Sequence, residues 1–473
     1  MTWLLALGAV WAMSLLMLLT KVAHRFWLSL IWLSLLPHGV AVHGLLRQYL
    51  PAYATPFSVA LVLSTMVFVA LFLLHMPQYP LKLSRRIRIM MGGRRIFLVS
   101  LLAGLVNVPL CGLLLQPAFR AQVIDLPNET IIWDFVVTYS IIALCAYVGA
   151  LRIFFTSRRL GVARRLLLIL FAWVPLVNIG LGIWFCVIAK KEFVHDYLQT
   201  ELQAERQSSE ICATRYPLLL LHGVGFRDYD FLNYWGRIPA LLKKNGATVF
   251  YGHQQAWGTI EDNAVEIQSA LRGILAETGA DKVNIIAHSK GGLDARYLIS
   301  SLRMGPYVAS LTTMSTPHHG SELLQVLDKL PMRIYLKVCG GLNAYFGAVG
   351  DHAPDAYAAS RQLHPDFLRK FNEDNPDAPE VYYQSYGAQM KSPLSSSLLL
   401  APYAIMKSVS THNDGLVTID SAKWGNYRGA LQSTTVRGIS HGDLIDLVRQ
   451  DYDGFNMAEE YVKIVAELKN MGF

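Results

Sequence analysis

Apolar residues follow two different rhythms along this chain. In the first, six long runs near 2–20, 27–46, 57–77, 96–115, 131–151 and 166–189 are almost uninterrupted. Each approaches the roughly 20 residues needed to span a hydrocarbon core, and each is too long and apolar for a buried core helix. No basic segment precedes the first run and five more follow it, which argues against a cleaved leader. The second run contains Pro37, His38 and His43 and is predicted to be kinked or re-entrant. The second rhythm starts at Tyr216. Short apolar runs at 217–221 (PLLLL), 247–251 (ATVFY) and 283–287 (VNIIA) alternate with helical spacing over 260–278 and 293–302. Strands alternating with helices predict a mostly parallel sheet covered by helices on both faces. Continuous rather than alternating apolar strands fit a sheet buried on both sides. The polar stretch 190–215 predicts a short helix and a linker. The expected organisation is a transmembrane helical domain over 1–189, the linker, and an α/β domain over 216–473.

Charge sharpens this division. The 473 residues carry 42 Lys and Arg against 34 Asp and Glu, a net +8, and only 16% are charged, against about 25% in typical soluble domains. With a mean hydropathy of +0.32, disorder, a collagen-like chain and a disulfide-rich mini-protein are excluded. Residues 1–189 hold 15 basic and 3 acidic residues, and the remainder holds 27 and 31. The basic character therefore belongs to the apolar part and implies no nucleic-acid partner. Within that part, Lys21, Arg25, Lys82, Arg85, Arg86, Arg88, Arg94, Arg95, Arg152, Arg158, Arg159, Arg164 and Arg165 fall in alternate connections. The other connections hold only Arg47 and Arg120. Basic short loops face the cytoplasm, so six crossings would put both termini on the opposite side. Lys190 and Lys191 count against that orientation, and five spans would change the N-terminal side. Polar groups within the runs are His38, His43, Asn107, Asp134 and Asn178. An ionisable group there suggests function, but bonding between helices explains the histidines equally well, and no charged ladder of a pump is present.

The sharpest chemical pattern is Ala287-His288-Ser289-Lys290-Gly291, between an apolar strand and a helix. A nucleophile elbow needs a tight strand-to-helix turn, with small residues two before and two after the serine. Ala287 stands where glycine is usual, a sterically mild change; an ordinary serine N-cap is the alternative. Acyl transfer also needs two amide donors for the oxyanion. Lys290, after the serine, is one candidate. Val224, in the glycine-rich loop His222-Gly223-Val224-Gly225-Phe226, is the other. A base and its orienting carboxylate should follow in the order Ser, Asp, His. Asp414 in the turn NDGLV and His441 in SHGDL fit, with Asp420, Asp443 and Asp446 as rival carboxylates. His222, His288, His318 and His319 are the rival bases; the first two belong to motifs that supply backbone groups, and the last two come too early.

Taken together, LLHGVGF, KVNIIAHSKGGLDARY, STPHHGS, FNEDNP…YYQSYG, NDGLV and SHGDLI resemble, in the same order, the secreted bacterial triacylglycerol lipases of the α/β-hydrolase fold, over about 216–455. The resemblance implies a Ser289–Asp414–His441 triad and a mobile lid, for which 321–350 is the best segment, with Gly340, Gly341, Gly347 and Gly350 as hinges. An ordinary core helix is the competing reading of that segment. The resemblance also raises a structural calcium ion. Asp443 matches one of its usual ligands, but 392–401 supplies no second acidic residue, and one carboxylate is a poor site for a hard cation. No cofactor is otherwise expected.

Five cysteines are present, of which Cys212 and Cys339 lie outside the apolar runs and leave a disulfide open. The expected function is a membrane-anchored serine ester hydrolase acting on lipid acyl esters, in a bacterial inner membrane with its catalytic domain on the periplasmic side. An acyltransferase with the same triad is one alternative. A lipid-binding or transport protein without catalysis is another. Oligomeric state is not legible.

Overall fold

The computed structural model describes residues 2–118, 126–174, 176–206, 209–225, 233–434, 436–449, 451 and 455–473. The chain divides into two compact units, Met1–Ala204 and Glu205–Phe473.

In the first unit, Thr2–Leu19, Pro51–Leu74, Arg85–Leu115 and Asn128–Thr156 are helices long and apolar enough to cross a membrane. Phe26–Leu35 and Gly39–Tyr49 make a fifth candidate, bent by 53°. Pro37 lies at the bend; proline lacks an amide donor and disfavours helical backbone in the residue before it. Leu33, Phe68, Phe72, Ile96, Ala103 and Cys145 form a buried core. Leu4, Trp11, Trp27, Leu74 and Phe155 are exposed. Apolar residues inside and out suit a bundle solvated by lipid. The helices Arg85–Leu115 and Asn128–Thr156 meet through glycines. A Cβ on Gly149 would stand 2.7 Å from Phe97 N and 2.8 Å from Gly93 O. Such small residues let membrane helices approach closely.

Two expectations change here. The run 166–189 is not one helix. It is divided between Gly161–Phe171 and Val177–Arg206, with Leu176 left-handed at φ 65° between them and Asn178 Nδ2 donating to Ala172 O at 3.0 Å across the break. The six continuous runs thus correspond to five spanning candidates and a divided sixth segment. The polar stretch after 189 does not start a new element either. It prolongs the helix to Arg206, because 183–206 contains neither Gly nor Pro to stop it.

The second unit is built on six parallel strands: β1 (Leu218–Leu221), β2 (Val249–Tyr251), β3 (Val283–His288), β4 (Val308–Met314), β5 (Tyr382–Ala388) and β6 (Asn426–Leu431), in the order β2-β1-β3-β4-β5-β6. Alternate residues of each strand enter opposite cores. Leu218, Leu220 and Ile286 pack with Trp235, Ile238, Tyr461 and Val465 on one face. Leu219, Leu221, Ile285 and Ala287 pack with Ile267, Leu271, Ala295 and Leu298 on the other. Helix Ile260–Thr278 starts where Thr259 Oγ1 accepts from Asp262 N and ends at Gly279 with φ 68°, the expected cap chemistry. This is the α/β-hydrolase arrangement. The last strand, β6, starts eleven residues after Gly415. Residues 413–418 form only an isolated bridge between Asn413 and Thr418.

Candidate active site

At the end of β3 the chain turns through Ser289 into helix Gly291–Ile299. Ser289 has φ 55°, a left-handed conformation that costs a non-glycine residue about 1–3 kcal/mol. Its amide donates to Met314 O of β4 at 3.0 Å, which helps to hold the turn. The small neighbours are sterically required. A Cβ on Gly291 would lie 2.5 Å from His222 O. Ala287, whose methyl sits in the core with Leu221 and Ala295, fits without strain.

The loop after β1 covers this turn. A Cβ on Gly223 would stand 2.7 Å from Ser289 Cβ. Gly223 N donates to Tyr234 Oη at 3.0 Å, and that hydroxyl meets His288 Nδ1 at 2.7 Å. His222 Nε2 lies 2.8 Å from Gln254 O, and Gln254 Nε2 donates to His222 O at 3.0 Å. Among the described residues, the Val224 and Lys290 amides donate to no protein group, so both remain available to an oxyanion. Phe226, the last residue of the loop motif, lies outside the described residues. The Lys290 side chain is occupied elsewhere: Nζ donates to Asp294 Oδ1 at 2.6 Å, and Asn263 Nδ2 donates to the other oxygen at 3.1 Å. Neither this buried pair nor Tyr234 was singled out in the sequence. The i,i+4 Lys–Asp spacing at the start of the helix was the available signal for the pair.

Asp414 is completely buried. Its Oδ1 accepts from Leu416 N at 3.0 Å and Val417 N at 2.9 Å, and its Oδ2 accepts from His441 Nδ1 at 2.7 Å. His441 N also donates to Asp414 O at 2.9 Å. The carboxylate is thus oriented by backbone and fixes the ring. The His441 and His288 ring centroids lie 4.4 Å apart, which sets the imidazole beside the residue preceding Ser289. Among the described residues no hydrogen bond joins Ser289 Oγ to His441. Such bonds often tighten only when substrate is bound. Burial, reinforced by His441, holds the His288 pKa well below its ordinary 6.5, so His288 adds no second positive charge. The rivals are engaged elsewhere. Asp420 pairs with Lys423 and Asp446 with Arg237. His318 meets Thr313 and stacks on Trp424, and His319 packs on the same ring.

A buried serine on a strained turn, a carboxylate-held imidazole and two amides with no protein acceptor among the described residues can together perform acyl transfer through serine. No family model matches the chain. Triacylglycerol lipase 2 of Saccharomyces cerevisiae is 32% identical over 263 residues, which make up 51% of this chain and 75% of the yeast protein. The chain belongs to the triacylglycerol lipase family. It is a lipase-like carboxylic-ester hydrolase. The triacylglycerol lipase of Pseudomonas fragi is 29% identical over 294 residues, 55% of this chain and 98% of that protein. Among solved structures, a mature Bacillus licheniformis lipase shares 20% identity over 50% of this chain and 88% of its own, with a TM-score of 0.39.

The residues of this lipase do not fit the calcium site raised by the resemblance. Asp443 Oδ2 accepts from Ser440 N at 2.8 Å, and its Oδ1 faces Arg437 Nη2 at 3.3 Å. Arg437 Nε donates to Ser395 O at 2.7 Å, in the stretch that offers no acidic ligand. A guanidinium bridges the place where a cation would join these two segments, and no group of three metal-ligating side chains occurs among the described residues. The open disulfide question also resolves: Cys212 and Cys339 are free thiols, the first in the core and the second on a surface helix.

Segment 321–350 forms two helices, Glu322–Leu327 and Met332–Ala348. The longer one leaves Met332, Ile334, Leu336, Val338 and Tyr345 exposed, unlike a core helix. Its ends are tied to the site. Ser321 Oγ donates to Leu416 O at 2.6 Å, beside Asp414. At the other end Asp351 accepts from Ala256 N and Trp257 N, each at 3.2 Å, and Ala256 O receives the Gly225 amide at 3.1 Å. Of the four glycines expected as hinges, Gly340, Gly341 and Gly347 lie inside the long helix, and only Gly350 has a left-handed backbone, at φ 113°.

Proposed function

We propose that this lipase hydrolyses acyl esters of lipids while anchored in a membrane by its N-terminal helices. Ser289 Oγ attacks the ester carbonyl as His441 Nε2 takes its proton. The Asp414 carboxylate holds the imidazole with Nε2 unprotonated and stabilises the imidazolium that forms. The Val224 and Lys290 amides stabilise the tetrahedral oxyanion, His441 protonates the leaving alcohol, and water then releases the fatty acid by the same route. The apolar helix Met332–Ala348 serves as a lid that shelters the acyl chain. The names of the curated relatives favour triacylglycerol as the ester. The observation that carries this reading is the left-handed Ser289 beneath Gly223, next to an imidazole held by a fully saturated carboxylate.

A fluorophosphonate probe tests it. Wild type should be labelled and Ser289→Ala should not. Absence of labelling in folded wild type, with another serine hydrolase labelled alongside, would refute the mechanism. Radiolabelled lipid should yield free fatty acid; transfer of the acyl chain to an alcohol or amine would convert the reading to an acyltransferase.

A further inference from the structure

The first unit records which face the polypeptide leaves by. Contacts gather one end of its helices at the arginine-rich connections. Arg95 Nη1 donates to His24 O at 2.6 Å, Arg88 Nε to Pro77 O at 3.2 Å, Arg152 Nη1 to His75 O at 2.8 Å and Arg86 Nη1 to Thr156 O at 2.8 Å. The other end is marked by His38, which meets Asp134 and Asn107, and by Gly44 against Leu126 and Thr130.

The divided segment starts and finishes at the arginine-rich end. Arg165 Nη2 donates to Ser157 O at 2.7 Å, so Gly161–Phe171 enters there. On the return, Arg86 Nη2 reaches Asp196 at 2.9 Å and Arg86 also pairs with Glu192. Glu192 accepts in addition from Ser157 Oγ at 2.6 Å and from the Arg158 and Arg159 amides. Between these points the return arm runs antiparallel to Arg85–Leu115. Arg94 Nε donates to Cys186 O at 3.1 Å, and Gly182 packs under the Phe97 ring with no room for a side chain. Gly182 is therefore level with the first half of that 31-residue helix. At 1.5 Å per residue, the 11 residues of Gly161–Phe171 extend about 16 Å, and 177–189 about 20 Å. Neither arm matches a hydrocarbon core of about 30 Å. The turn between them carries Trp173 and Leu176, each 79% exposed, as suits a tip immersed in lipid.

We propose that residues 161–189 form a half-depth hairpin, so that the chain leaves the membrane on the arginine-rich face and its hydrolase acts in the cytoplasm, on lipid esters delivered by the cytoplasmic leaflet. This reverses the periplasmic side expected from six crossings. It also removes the one inconsistency in the charge pattern: Lys190 and Lys191 now fall on the same face as the thirteen other positives, as the bias of short loops toward the cytoplasm requires. The N-terminus stays on the opposite side, after five crossings.

The inference rests on the membrane-anchored reading above, and its test is separate from the chemistry. Full-length protein in a bacterial inner membrane, carrying green fluorescent protein at its C-terminus, should fluoresce, and the matching alkaline phosphatase fusion should be inactive. Protease added to inverted vesicles should remove the hydrolase unit, and protease added to sealed spheroplasts should spare it. An active phosphatase fusion, or cleavage in spheroplasts, overturns the hairpin. Fluorophosphonate labelling of detergent-solubilised protein reports the Ser289 reading independently of sidedness, so either conclusion can fail alone.

Discussion

Each unit contains a histidine held against a buried aspartate, and the two pairs end differently. In the first unit, His38 Nδ1 lies 2.5 Å from Asp134 Oδ2, and the other ring nitrogen meets Asn107 Oδ1 at 2.8 Å. The second oxygen of Asp134 accepts from Ala41 N at 2.8 Å, just beyond the bend that starts the second half of a broken helix. Every strong partner is another element of the bundle, so the network acts as a clasp for the bend. In the second unit, Asp414 is saturated by backbone in the same way, but His441 Nε2 has no hydrogen-bond partner among the described residues and lies near a strained serine. A histidine–aspartate pair is thus not by itself a site. On the proposed mechanism, the unspent nitrogen and what stands before it separate a base from a structural clasp.

The sharpest way to break this contrast is to neutralise each aspartate. Asp414→Asn should lower kcat by about 10⁴-fold, the scale seen when a triad histidine loses its tautomer control. Asp134→Asn should leave ester hydrolysis in detergent unchanged; a comparable loss would erase the distinction. Next in size, Gly223→Ala pushes a methyl onto Ser289, and a displacement of this kind can cost about 10²-fold. Rates of hydrolysis and of fluorophosphonate labelling should fall together while the melting temperature holds, and unchanged rates would remove Gly223 from the site.

Stability effects come below these. Arg437→Ala removes the guanidinium from Asp443 Oδ1 and Ser395 O and should destabilise the hydrolase unit by about 1.5–3 kcal/mol, the range for a hydrogen bond to a charged group. Chelator should not shift the wild-type melting temperature, and a drop on chelation would return a metal to this place. Gly149→Leu overpacks the helix crossing in the first unit. It should cost about 1–3 kcal/mol, read as a lower melting temperature in detergent with labelling at low temperature preserved. The smallest effect is on pH dependence. Burial holds His288 and His318 well below their ordinary pKa of 6.5. Below that value the unfolded chain takes up protons that the folded chain refuses, so stability should fall as pH drops from 7 to 5. Denaturant midpoints that stay flat or rise over that interval would contradict it.

Much of the site was legible because its signals are local. An elbow needs small residues at fixed offsets from its serine, so Ala287, Ser289 and Gly291 announce themselves within five positions. The NDG turn announces Asp414 because its side chain caps its own backbone two and three residues on. The apolar runs were equally plain, since the length needed to cross a bilayer is a property of consecutive residues.

Tertiary structure decided the rest, where the deciding partner lies far along the chain. The run 166–189 has the composition of a span, but it is divided after Phe171, and its return arm packs on Arg94 and Phe97, roughly ninety residues earlier. Asp443 reads as half of a metal site until Arg437 and Ser395 are brought to it. Two histidine–aspartate pairs are chemically equal on paper, and only the folded chain spends one nitrogen of His38 on Asn107 and, among the described residues, gives that of His441 no partner. Composition and turn chemistry act over a few residues; the packing of a divided run, the saturation of a carboxylate and the partners of an imidazole depend on which distant groups the fold brings together.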